Sequence, residues 1–125
     1  MKRIALSVFL VLVAGQAQTA EKIQTGFITG STLLEYCSVL ESQPDGLACF
    51  GYVMGISDLH DDIVASGVLT RMYCMPSGET GVRVGQLVLV VEKYLHEHPE
   101  ELHTAASALV MTAFAEAFPC KSKDQ

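Results

Sequence analysis

The sequence predicts an all-α domain, a small disulfide-stabilised bundle of about four helices. Three observations predict it. Apolar residues recur at three- and four-residue spacing in four stretches between Ser31 and Phe118. Proline and glycine punctuate the gaps between them, as at Pro44 to Gly46, Gly67, Pro76 to Gly81 and Pro99. Four cysteines, Cys37, Cys49, Cys74 and Cys120, form the even set that a small exported chain closes into bridges.

Export is read from the first residues. Met1, Lys2 and Arg3 give a short positive start, and Ile4 to Ala14 gives an apolar run of secretory-signal length, too short to span a bilayer comfortably. Gly15 and Ala17 supply small residues at the minus-three and minus-one positions, which predicts cleavage after Ala17, with residues 1–17 as signal peptide and 18–125 as a single domain. The 108 residues that remain of 125 suffice for one core and not two. They carry six Lys and Arg against fourteen Asp and Glu, a net charge of −8. That sign argues against nucleic acid and against anionic membrane surfaces and favours a basic partner. No cysteine stands at the signal boundary to take a lipid, so the expected destination is a soluble, oxidising compartment, with no membrane association after cleavage.

The first helix is expected over about 31–41, with Ser31 as N-cap and Leu33, Leu34, Cys37 and Leu40 on one face. Ser42 to Gly46 reads as a tight connection, so an antiparallel neighbour should follow. Leu47 to Ser66 is the second helix, with Tyr52, Ile56, Leu59 and Ile63 facing inward and Asp58, Asp61 and Asp62 on the other side. Gly51 and Gly55 within it suggest close approach of another backbone, and Gly67 is a natural stop. Val68 to Gly81 reads as an irregular connector pinned by Cys74. Val84, Leu87, Val88, Val91 and Leu95 mark a third helix over about 84–97. Pro99, followed by Glu100 and Glu101, is expected to start the fourth, whose stripe runs through Leu102, Ala106, Leu109, Ala113 and Ala117 to Phe118. Tyr52 and Phe114 are expected in the core.

Three of the four histidines, His96, His98 and His103, fall at the corner between the third and fourth helices. A sharp turn divides them and no C-x-x-C or H-E-x-x-H spacing is present, so no metal site is assigned; His60 or Asp61 could complete a shell only if the second helix lay beside that corner. Ser57, Asp58 and His60 resemble a triad by composition, yet their spacing on one helix cannot bring all three together. The cysteines are all accounted for by bridges, the aspartates lack EF-hand spacing, and no phosphate-binding loop appears. Neither an enzymatic activity nor a cofactor is predicted.

Cys49 to Asp58 (CFGYVMGISD), Cys74-Met-Pro76, Gly85-Gln-Leu87, Tyr94 to Glu100 (YLHEHPE) and Ala117 to Cys120 (AFPC) form an ordered set that resembles the Rap/Tai family of type VI secretion immunity proteins. The resemblance extends from Gly30 to Cys120, with one departure: Arg83 stands where a threonine would cap the Val84 helix. It implies an all-helical, often dimeric periplasmic protein that binds and occludes a peptidoglycan-cleaving effector, of the amidase kind, and that catalyses nothing itself. Contacts are then expected through loops and helix ends, here Asp58, Asp61, Asp62, Arg71 and Glu79. In an up-down bundle Cys37 would pair with Cys49 and Cys74 with Cys120; pairing of Cys37 with Cys74 and Cys49 with Cys120 stays open if the connector returns along the first helix. A periplasmic acid-stress chaperone is the competing class, since clustered carboxylates and histidines could loosen such a bundle at low pH. Metal binding through the histidine corner is a third.

Overall fold

A computed structural model describes residues 27–39, 42–77 and 81–121; residues 1–17, expected to be a signal peptide, and Leu40, Glu41 and Glu79 lie outside the described residues. Among the described residues there are four α-helices, α1 (Gly30–Cys37), α2 (Pro44–Ala65), α3 (Val84–Glu97) and α4 (Ala106–Ala117), with a 3₁₀ turn at Pro99–Glu101 and no strand longer than a single bridge. No helix among them is long and apolar enough to cross a membrane.

Helix α1 begins one residue earlier than its sequence suggests. Thr29, not Ser31, is the N-cap: its Oγ1 accepts from the Thr32 N–H at 3.4 Å, while the Ser31 hydroxyl donates to the Leu102 carbonyl. Gly30 is buried because α4 and the corner lie against it; a Cβ there would collide with Leu109 Cδ1 and crowd the Leu102 backbone at 3.1 Å.

Helix α2 also starts early. Pro44, Asp45 and Gly46 form its first turn instead of the expected connection, because proline fits the first helical position and Asp45 suits the positive end. Gly67, at φ 75°, closes it as expected. Its inward face differs from the predicted one. Gly46, Cys49, Val53 and His60 are buried, Tyr52, Ile56 and Ile63 are half-buried, and Leu59 is 54% exposed. Nor does any backbone approach Gly51 or Gly55, since a Cβ at either would meet nothing within 4 Å.

Helix α3 keeps the bounds read from sequence. Two bonds settle its start without a threonine: Gln86 Oε1 accepts from the Arg83 N–H at 2.9 Å, and the Gln86 N–H, which a threonine would cap, donates to the Arg83 carbonyl at 2.9 Å. The fourth helix is the larger correction. Pro99 starts only the 3₁₀ turn, and α4 begins at Ala106. Between them the chain is drawn off helical geometry by a bridge to the segment before α1, in which the Gly30 N–H donates to the Thr104 carbonyl and the Ala106 N–H to the Ile28 carbonyl, both at 3.0 Å. His103 therefore lies in an exposed turn outside the helix.

The topology is not simply up and down. The N-terminal residues of α3 and of α2 line one cavity together with Cys37, so α2 and α3 begin at the same end. Residues 66–77 carry the chain back along α2, a helix of 22 residues and about 33 Å. A long connector permits this, where a short turn would have forced an antiparallel neighbour. The shared core is Leu33, Val53, Leu87, Val91, Leu95, Leu109, Val110 and Phe114, with Tyr73 supplied by the connector. The pairing is Cys37 with Cys49 and Cys74 with Cys120, and no described cysteine is free.

Candidate functional site

Where α2 ends, its last turns meet the returning connector. Asp58, Asp61 and Asp62 stand at i, i+3 and i+4, so all three project outward from one side, and all three are exposed. Arg71, across the groove, donates to Asp61 Oδ1 at 2.9 Å. Asp61 and Arg71 share a cleft of about 470 Å³ with Tyr73, Met75, Pro76 and Ser77, beside the Cys74–Cys120 bridge. Four of the five residues expected to contact a partner are thus described, and all four sit at this end of α2.

The groove is held from beneath by His60. Its Nε2 accepts the Met72 N–H at 3.1 Å and its ring stacks on Tyr73, with centroids 4.0 Å apart. Tyr73 in turn meets Phe114 edge-on at 5.3 Å, which ties the connector to α4. The Cys74 N–H donates to the Phe118 carbonyl at 2.8 Å, so backbone and disulfide fasten the same point. Burial is the main cause that pushes the Tyr73 phenol up to about 12; Ser57 and Arg71 counter it and the Asp61 carboxylate adds to it.

Ser57, Asp58 and His60 do not assemble. The Ser57 hydroxyl faces Met75 Sδ at 4.0 Å, Asp58 points to solvent and His60 Nε2 is occupied by a backbone amide. Apolar surface rims the acidic patch instead: Val68 is 81% exposed, Leu59 54% and Met72 43%. Sequence periodicity missed Leu59 because it turned that residue inward. A buried imidazole is legible only once the Met72 amide that needs it is in place.

At the other corner the histidines are dispersed in their contacts. His96 lies 3.8 Å from Glu92 on α3, His103 is in the exposed turn, and His98 caps α3 with its Nδ1 3.3 Å from Glu100 Oε1. Tyr94, buried under this corner, donates its hydroxyl to Glu101 Oε2 at 2.9 Å and packs its ring 4.3 Å from that of His98. Burial first, then the Glu101 carboxylate, pushes its phenol up to about 12. Glu100 is lowered by its own backbone N–H and by His98.

Among the described residues the fold is a cross-linked set of helices, with a charged groove framed by exposed apolar side chains. The sequence profile of the Rap1a immunity proteins matches residues 29–120, and the chain belongs to that family. No curated protein and no solved structure matches it. Membership in an immunity family makes a partner effector the ligand to look for.

Proposed function

We propose that the chain is a periplasmic immunity protein that binds, and occludes the active site of, a peptidoglycan-cleaving amidase effector delivered by type VI secretion. The observation that carries this reading is the family match over residues 29–120. Two disulfides suit a chain that is exported, with its signal removed after Ala17, and folded in an oxidising compartment. The role is binding, without turnover and without a cofactor.

The docking surface is the α2 end: Asp58, Asp61 and Asp62 with Arg71, flanked by Leu59, Val68 and Met72; Glu79, expected to contact the same partner, lies outside the described residues. Acidic groups there guide a basic hydrolase into register, and the apolar rim is desolvated on contact. A homodimer would use the outer face of α2, where Gly51 and Gly55 leave an open strip beside Met54.

Competition between sister cells tests the proposal. Cells lacking this chain are expected to lose viability when attacked by effector-producing siblings and to be rescued by the exported chain. Equal survival of deleted and intact cells would remove immunity as the function; aggregation suppression by the purified chain at about pH 2 to 3 would instead favour the chaperone class.

A further inference from the structure

The corner between α3 and α4 holds a donor set that nothing in the proposed immunity role uses. His98, Glu100 and Glu101 each offer a ligand atom, and these atoms all lie within 4.8 Å of one another. The sequence directs attention to three histidines, but the fold selects one of them and supplies two carboxylates. We propose that His98, Glu100 and Glu101 form a mononuclear binding site for a borderline divalent cation of the zinc type.

Spacing supports the assignment. In a tetrahedral zinc shell, with metal to nitrogen and oxygen distances near 2.1 Å, adjacent donors stand about 3.4 Å apart. His98 Nδ1 and Glu100 Oε1 are already 3.3 Å apart. The imidazole offers the Nδ1 lone pair when its proton resides on Nε2, and an ion then replaces the hydrogen bond to Glu100 without changing that spacing. Glu101 is held in place by the Tyr94 hydroxyl at Oε2, which leaves Oε1 to complete a third ligand.

The scaffold is preorganised as well. Pro99 limits the backbone between His98 and the glutamates, the Tyr94 ring backs the imidazole, and the Ser31 N–H fixes the far side of the turn through the Leu102 carbonyl at 2.9 Å. One imidazole with two carboxylates suits zinc better than calcium or magnesium, which take all-oxygen shells. The fourth position faces solvent, since Glu100 is exposed and His98 half-buried.

Zinc chloride titrated calorimetrically into the oxidised, metal-free chain tests the site. One equivalent is expected to bind saturably, and cobalt in its place should give the strong visible absorption of a four-coordinate ion. His98→Ala and Glu101→Gln should each weaken zinc binding at least tenfold, while His96→Ala and His103→Ala stay within twofold of the parent. All four positions are partly or fully solvent-accessible, and circular dichroism verifies that each variant keeps its helix content. No saturable uptake, or uptake abolished by His96→Ala or His103→Ala but retained in His98→Ala, would overturn the assignment. Because the readout is metal uptake by the isolated chain, its result is separate from that of the sister-cell competition.

Discussion

Two of the connections between helices, the stretch after α2 (residues 66–77) and the corner at residues 98–105, are fastened in opposite ways. The long connector is held by side chains: His60 takes the Met72 amide, Tyr73 fills the core between His60 and Phe114, and Cys74 is bonded to Cys120. The short corner is held by backbone, through the bonds joining Gly30, Ser31 and Ala106 to Thr104, Leu102 and Ile28. Loss of a single side chain should therefore loosen the connector more than the corner, which keeps its backbone bonds even without the Tyr94 to Glu101 hydrogen bond.

The largest effect expected from this contrast is covalent. Replacing both Cys74 and Cys120 by serine removes a cross-link over a sequence separation of 46 and should lower unfolding stability by about 4 kcal/mol, against about 3 kcal/mol for Cys37 and Cys49 at a separation of 12. Urea denaturation of the two double variants measures both. A smaller loss at the connector bridge than at the α1–α2 bridge would break the comparison.

Next in size is His60→Ala, which removes a buried ring and leaves the Met72 amide without its acceptor; a loss of about 2 to 4 kcal/mol is expected, with faster hydrogen exchange at Met72. Unchanged exchange there would mean that the imidazole does not anchor the connector.

The third effect is one of pH. Tyr73 in the folded chain is raised from 10 to about 12, so the protonated phenol favours the fold; that contribution is complete below about pH 10 and is lost as pH rises toward 12. Tyr94 is raised in the same direction and adds the same sign. Melting temperature should fall across this interval, less steeply in Tyr73→Phe. An identical slope in parent and variant would remove Tyr73 as a contributor.

The smallest effect on stability is at the groove's surface. The Arg71–Asp61 pair is exposed on the carboxylate side, so Arg71→Ala should change stability by under about 1 kcal/mol. If the groove is the docking surface, the same substitution alters the rate and salt dependence of partner association instead. A large thermal destabilisation by Arg71→Ala would show the pair to be structural.

Much of this was legible in the sequence. Helix α3 was readable to the residue because Val84, Leu87, Val88, Val91 and Leu95 keep one period without interruption. The cysteine pairing followed from which helix ends meet, although the assumed up-down order did not hold. What escaped was set by contacts between distant segments. Pro99 is a good helix start locally, yet bridging to Thr29 stops the helix until Ala106. Leu59 satisfies the helical period, but the Met72 amide and Tyr73 ring draw His60 inward and rotate Leu59 to the surface. The acidic side of α2 was foreseen as a surface; its apolar rim was not, because Val68 and Met72 lie in a segment with no period to read.

On the proposed function, a clamped helical surface captures a secreted hydrolase and turns over nothing itself. The most direct measurement is titration of the oxidised chain, residues 18–125, against a peptidoglycan-cleaving amidase effector of type VI secretion, following both complex formation and residual cleavage of peptidoglycan. Saturable binding with cleavage abolished at stoichiometric ratio is the predicted result. An undiminished hydrolase in the presence of excess chain, with no complex formed, would contradict it.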